Sequence, residues 1–329
     1  MGFRKRITEI SFIVGSMDNK HPLILFLLLI GLSSCQPLNA TMAQPRVSSM
    51  PVTVTPFQAF TDTPHPTITF TPTVTASPTP VPCTEKEGRI EQQEQPFDNS
   101  TTLFKFRIYV PPCFDQNQKD PKVRYPVLYM IHGQTFQDDQ WERLGIGKAA
   151  DALIDEGKSP PFLIVMPLEK DTYADIYLTS FSRSVIEKLI PWVDAHYPTC
   201  TERACRAIGG LSRGGAWAMR LGFMNWELFG SIGLHSTPPF NTDPGLFPSW
   251  VSKIPADQLP RVYMDIGRGD PFLSNATAFE ALLVKYNVAH EWYLFNGTHE
   301  EAYWSAHVAE YLDWYTQPWQ EMAADLEVH

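Results

Sequence analysis

The chain has 329 residues and a formal net charge of −10, with 26 Lys and Arg against 36 Asp and Glu. The part of the sequence patterned for folding has no basic run, which excludes nucleic acid and polyanions as expected partners. It also lacks a dinucleotide fingerprint and a phosphate-cradling glycine loop, so no cofactor is expected.

In chain order, Pro22 to Gly31 is an apolar run too short to span a bilayer but of the length of a secretory signal core. Leu32-Ser33-Ser34-Cys35 follows at once and resembles a bacterial lipobox. That resemblance implies cleavage before Cys35, lipid on its thiol, and an extracytoplasmic protein held to a membrane. An ordinary signal, giving a secreted protein, and a retained N-terminal helix are the alternatives. Residues 1–16 make an unusual leader and Met17-Asp18-Asn19-Lys20 a conventional one, so Met17 is a second candidate start. Residues 51–82 contain eight prolines and ten threonines, a composition that packs no core and favours extended backbone. The expected divisions are a signal segment 1–35, a Thr/Pro-rich linker 36–82 and one folded domain 83–329. Extended at roughly 3 Å per residue, the linker would reach on the order of 100 Å.

Two strands, Glu87 to Glu94 and Leu103 to Val110, come next, and antiparallel pairing between them would set Cys83 beside Cys113. Tyr125 to Ile131 is an apolar strand that ends in His132-Gly133-Gln134-Thr135. Further strands near 162–166, 206–210, 230–234, 261–266 and 291–295 alternate with helices near 145–156, 183–196, 214–224, 276–287 and 301–314. This alternation predicts an α/β fold: a mostly parallel central sheet, helices on both faces, and an antiparallel edge from the leading pair. Cys200 and Cys205 lie close enough in sequence for a local bridge. With Cys35 set aside, four cysteines remain, an even number of the kind an oxidising compartment favours. The short segment between about 235 and 261 is the only place expected for a lid, so an open cleft reachable by bulky substrates is expected.

Gly210-Leu211-Ser212-Arg213-Gly214-Gly215 sits between a strand-like and a helix-like run. In that context the pattern reads as a nucleophile elbow, in which glycines let the backbone turn sharply and lift the serine into a cleft. The acid and then the histidine should follow, each in a loop just after a strand. The acidic candidates are Glu227, Asp243, Asp257, Asp265, Asp270, Glu280 and Glu291. Asp270, in the turn after Arg261 to Gly267, is preferred. Its rival Asp265 reads as a strand-end residue bonding neighbouring backbone. His299, in the loop after Glu291 to Phe295, fits as the base. His235 comes too early, His307 falls within a helix, His290 precedes the last strand and His196 suits a helix C-terminus. His299-Glu300-Glu301-Ala302-Tyr303 starts like a zinc-protease helix but has Tyr303 in place of the second histidine, so no metal site is expected.

For the oxyanion, the N–H of Arg213 and that of Gln134 are the expected donors, with His132 bracing the loop through its ring nitrogens. Trp141 and Trp304 lie near these loops in sequence. They have two readings, as walls of an acyl or aryl pocket or as ordinary core.

Several stretches occur together in order: Tyr129-Met130-Ile131-His132-Gly133 with Trp141; Ile190-Pro191-Trp192-Val193-Asp194-Ala195-His196-Tyr197; the elbow; Asp265-Ile266-Gly267-Arg268-Gly269-Asp270; and Gly297-Thr298-His299 with Trp304. Through them, the chain from about Cys83 onward resembles the esterase D family of α/β-hydrolases. That group includes feruloyl esterases, S-formylglutathione hydrolases, enterochelin-type siderophore esterases and mycolyltransferases. The resemblance implies a serine esterase with Ser212, Asp270 and His299 on the triad positions, acting on a small-molecule or polysaccharide-linked ester. Arg213 departs from the Met or Phe that many members carry, and Glu300-Glu301 from the usual acidic-Trp pair. Acyl transfer to a sugar or alcohol, as in the mycolyltransferases, is the alternative chemistry. A non-catalytic surface binding module is the alternative class, and the intact Ser, Asp and His set argues against it.

Overall fold

The computed structural model describes residues 83–97 and 103–327. The expected signal segment with Cys35, and the Thr/Pro-rich stretch 36–82, lie outside the described residues. The strands are β1 (Arg89–Gln95), β2 (Phe104–Val110), β3 (Val127–Ile131), β4 (Leu163–Pro167), β5 (Arg206–Leu211), β6 (Ser231–His235), β7 (Arg261–Gly267) and β8 (His290–Phe295). The helices are α1 (Phe114–Asn117), α2 (Gln140–Arg143), α3 (Ile146–Asp155), α4 (Phe181–Ser184), α5 (Ile190–His196), α6 (Arg213–Met224), α7 (Asp243–Val251), α8 (Leu273–Lys285) and α9 (Glu301–Glu327). A π-helical turn, Val185–Leu189, joins α4 to α5.

All eight strands form one sheet in the order β1-β2-β4-β3-β5-β6-β7-β8. The leading pair is antiparallel and β2 meets β4 antiparallel, while β4, β3 and β5 to β8 run parallel. This is the expected α/β-hydrolase arrangement, and its cause is readable strand by strand. The inner strands β3, β4, β5 and β6 are buried on both faces, as Val-Leu-Tyr-Met-Ile and Leu-Ile-Val-Met-Pro illustrate. The edge strand β1, Arg-Ile-Glu-Gln-Gln-Glu-Gln, carries charged and amide side chains that discourage further pairing. Disulfides join Cys83 to Cys113, as pairing of the leading strands suggested, and Cys200 to Cys205, as their closeness in sequence suggested.

Separate apolar cores lie on the two faces of the sheet. One packs α5, α6, α7 and α8 against it through residues such as Val193, Trp217, Phe223, Phe247 and Phe279. The other packs α3 and α9 through Leu153, Trp304, Leu312, Tyr315 and Trp319. Tyr315 comes so close to the sheet that a Cβ on Gly233 would lie 1.7 Å from its hydroxyl, so only glycine fits there. Among the described residues no helix is long and apolar enough to cross a membrane.

One expectation needs correction. The last helix does not stop near 314 but continues to Glu327, through Pro318. Proline removes the N–H that would bond the carbonyl four residues back. Here that carbonyl, of Trp314, accepts instead from Arg261 Nη1 at 3.3 Å, while Trp319 Nε1 donates to the Ala204 carbonyl at 3.0 Å. The short segment between 235 and 261, the only place expected for a lid, packs against the domain. It contains α7, whose Phe247 and Trp250 are buried despite two prolines in a short helix. Tertiary packing overrides poor local propensity.

The clamp holding α7 is the fully buried Asp243, bonded by Arg220 of α6. Its other oxygen has no partner among the described residues. Burial, opposed by Arg220, pushes the Asp243 carboxyl up from 3.8 to about 6. The folded chain therefore holds this proton at a higher pH than the unfolded chain does. The stability that this group contributes is full below its unfolded value of 3.8 and is lost as pH rises through about 6. Thermal melts of the wild type and Asp243→Asn should show the wild-type advantage shrinking over that window. A difference in Tm that does not vary with pH would contradict the assignment.

Candidate active site

Ser212 sits at the junction of β5 and α6 with φ 54° and ψ −120°, a strained conformation imposed by the turn between them. Its N–H donates to the His235 carbonyl at the end of β6 at 2.8 Å, so the neighbouring strand holds the turn in place. Two residues on, a Cβ at Gly214 would lie 2.1 Å from the Ile131 carbonyl. Glycine at this position lets the first turn of α6 press against the end of β3.

The structure brings the three expected triad residues together. Ser212 Oγ lies 2.8 Å from His299 Nε2, and His299 Nδ1 lies 2.8 Å from Asp270 Oδ2. A carboxylate only accepts, so Nδ1 carries the proton and Nε2 has a free lone pair for the serine hydroxyl. Asp270 is 5% exposed, and its second oxygen accepts the Phe272 N–H at 2.8 Å. The acid and histidine loops are tied by backbone bonds, Arg268 N–H to the Phe295 carbonyl and Gly269 N–H to the Gly297 carbonyl. Phe272 and Trp304 meet the His299 ring edge-on at 4.9 and 5.0 Å between centroids, fixing its plane from two sides.

Asp265, the rival acid, is elsewhere. It is buried, and its oxygens accept from His235 Nδ1 at 2.7 Å, Tyr303 at 2.6 Å and Tyr311 at 2.8 Å. Side chains, rather than the expected backbone, satisfy it. Tyr303, where a zinc-protease helix would have its second histidine, is one of those partners.

The loop after β3 is held at two points. The Gly133 N–H donates to Gln140 Oε1 at 2.8 Å, so this amide is taken and the next one, on half-buried Gln134, has no acceptor among the described residues. The Arg213 N–H is the first of α6 and has no intrahelical acceptor. His132 Nε2 accepts the Glu169 N–H at 2.9 Å and Nδ1–H donates to the Gly133 carbonyl at 2.8 Å. This bonding requires the neutral ring, and burial pushes the His132 pKa down, in agreement.

Sequence reasoning missed Glu169. Its carboxylate takes a two-pronged contact from Arg213, Nε at 2.8 Å and Nη2 at 2.6 Å, and it is only 2% exposed. A glutamate 44 residues before its partner leaves no local signal, although an arginine directly after the nucleophile calls for a counter-charge. Glu301 acts at the other side of the loop, accepting from Gln140 Nε2 at 3.3 Å and from Arg143 at 2.8 Å. Both family departures noted in the sequence thus brace the same loop.

The pocket reading of the two tryptophans is corrected towards packing. Trp141 is 0% exposed, donates to the Ile131 carbonyl at 3.1 Å and presents no face to a cleft. Trp304, 2% exposed, backs the His299 ring.

Comparison with known proteins gives a consistent result. The Esterase family model matches residues 101–315. A curated relative, the endo-1,4-beta-xylanase/feruloyl esterase of Xylanibacter ruminicola, is 31% identical over 156 residues, covering 45% of this chain and 22% of the relative. This chain thus spans about a fifth of that relative's length. Among solved structures, a ferulic acid esterase superposes with TM-score 0.60 at 20% identity, covering 70% of this chain and 98% of that one. The fluorophosphonate-binding serine hydrolase FphF of Staphylococcus aureus gives TM-score 0.61 at 17% identity, covering 70% and 99%. At those identities the two structures speak to the fold. With its family model matched over most of the described domain, the chain belongs to the Esterase family.

Proposed function

We propose that the chain is a serine carboxylic ester hydrolase that works through an acyl-enzyme. The observation that carries the reading is the unbroken hydrogen-bond chain from Ser212 through His299 to Asp270. Ser212 Oγ attacks the ester carbonyl while His299 Nε2 takes its proton, and Asp270 stabilises the imidazolium that forms. The N–H groups of Arg213 and Gln134 receive the oxyanion. His299 then gives its proton to the departing alkoxide, and a water molecule, deprotonated by the same nitrogen, releases the acid. Family membership and the name of the Xylanibacter relative support a small-molecule or polysaccharide-linked ester as substrate, with an aryl acid such as ferulate the first to assay.

Ser212→Ala should lower kcat toward a small aryl ester by about 10^4-fold or more and abolish fluorophosphonate labelling, with an unchanged melting curve. Asp270→Asn should cost about 10^3 to 10^4 in kcat, whereas Asp265→Asn should act mainly on Tm. Labelling at another residue, or reversed effects of the two Asn variants, would overturn the assignment.

Glu169 has a positioning role in this scheme, since it joins the loops that carry both oxyanion donors. Glu169→Gln leaves Arg213 without its counter-charge, and kcat should fall by about tenfold or more with KM changed less. A change confined to KM would remove Glu169 from the role.

The address is part of the proposal. Two disulfides favour an oxidising compartment, and Cys35 after an apolar run suits lipid attachment outside the cytoplasmic membrane. Thiol titration of the denatured, unreduced mature protein should read near zero, and Cys35→Ala should move the protein from the membrane to the soluble fraction without altering turnover. Stoichiometric free thiol, or a variant that stays on the membrane, would refute this address.

A further inference from the structure

Asn296-Gly297 is the only Asn-Gly pair in the sequence, and it stands in the loop that carries His299. Asparagine is a thermolabile residue, because the backbone nitrogen of the next residue can attack its side chain and close a cyclic imide. The attack needs an accessible carboxamide and an unhindered nitrogen, neither of them held by a hydrogen bond. Glycine, without a Cβ, hinders least.

All these conditions meet at this pair. Asn296 is exposed, and its carboxamide has no partner among the described residues. The Gly297 N–H donates to no acceptor among them either. The other described asparagines differ. The amides after Asn117, Asn275 and Asn287 are already donated, by Gln118 to the Phe114 carbonyl at 2.9 Å, by Ala276 to that of Phe272 at 3.0 Å and by Val288 to that of Leu283 at 2.9 Å. Asn225 uses its own carboxamide, Nδ2 donating to the Leu221 carbonyl at 2.9 Å. Asn241 precedes the β-branched Thr242, whose side chain crowds the approach.

The glycine of the pair cannot be exchanged. Gly297 has φ 146°, and a Cβ there would lie 2.4 Å from the Tyr303 ring. Its carbonyl is equally confined, 2.4 Å from where a Cβ on Gly267 would stand. That carbonyl accepts the Gly269 N–H and so ties the histidine loop to the acid loop. A loop packed this closely has no room for an extra backbone atom.

We propose that Asn296 is a site of spontaneous deamidation, and that the modified chain loses activity. The Gly297 nitrogen bonds to Asn296 Cγ, the bond from Cγ to the side-chain nitrogen breaks, and that nitrogen leaves as ammonia with the Gly297 proton. Water then opens the imide at either carbonyl, giving aspartate or isoaspartate, with no oxidant or reductant. Isoaspartate routes the chain through Cγ and lengthens it by one methylene between β8 and His299. It draws the Gly297 carbonyl off the Gly269 N–H and His299 off Asp270. The loss of turnover rests on the proposed triad, whereas the chemistry at Asn296 does not.

The test is incubation of the full chain at mildly acidic and mildly alkaline pH in heavy-oxygen water, with peptide mapping by mass spectrometry. Residue 296 should take up one heavy oxygen as it converts, faster at alkaline pH, while Asn117, Asn275 and Asn287 stay intact. Turnover of a small aryl ester should decay in step with isoaspartate formation. The isolated isoaspartate form should have kcat lower by about 10^2-fold, the cost of a displacement of about 1 Å. Asn296→Gln, whose longer side chain cyclises far more slowly, should start with wild-type turnover and keep it through the same incubation. No conversion at 296, equal conversion at the other asparagines, or an isoaspartate form with full turnover would overturn the proposal. Were the fresh enzyme inactive, the esterase reading would fall while peptide mapping still decided the site. The melting temperature of the isoaspartate form would then decide the effect on the loop, lowered if the loop is broken and unchanged if it is not.

Discussion

The parallel hydrogen-bond ladder of β5 to β8 does not stop where the strands do. Ser212 donates to the His235 carbonyl, Ser236 to that of Asp265, Arg268 to that of Phe295 and Gly269 to that of Gly297. Each of these bonds joins the departure point of one strand to the next, so the loops leave the sheet already locked to one another. A serine, an acid and a histidine far apart in the chain converge because the sheet's own register is carried into the turns. The positive φ of Ser212 is sustained by the same bonds.

Beneath this surface lies a polar cluster inside an apolar core. Asp265 is the common acceptor for His235, Tyr303 and Tyr311, and His235 Nε2 meets the Tyr315 hydroxyl at 3.1 Å. Burial first, and then the Asp265 charge, hold the hydroxyls of Tyr303 and Tyr311 protonated well above the usual tyrosine range. Each hydroxyl therefore keeps the proton it donates, which is what the carboxylate needs. A carboxylate so fully satisfied is inert as a general base and rigid as a support. The two acids near the end of β7 thus differ in what surrounds them, Asp270 facing a histidine ring beside the nucleophile and Asp265 facing donors that keep it occupied.

Periodicity and order carried much of this architecture. Apolar runs bounded by turns gave away the parallel strands, and the Gly-bracketed serine at a strand-to-helix junction located the elbow. Pairing of the first two strands placed Cys83 and Cys113 together, because in an antiparallel pair of consecutive strands the residue before the first lies beside the residue after the second. What stayed hidden depends on contacts distant in sequence. Glu169 has meaning only once β4 lies beside β3, and Arg261 rescues the Trp314 carbonyl only after β7 and α9 have packed. Nor could proximity in sequence show that the indole of Trp141 turns inward, since it is set by a carbonyl at the end of β3.

The Cys83–Cys113 bridge spans 30 residues and encloses both strands of the antiparallel edge. Tension arriving along the chain from residue 82 would therefore pass through sulfur to Cys113, bypassing β1 and β2. An edge strand pulled from its free end peels one hydrogen bond at a time. Here the load path skips that weak geometry and enters the fold beyond the hairpin, so the edge of the sheet is shielded from mechanical force applied on the N-terminal side.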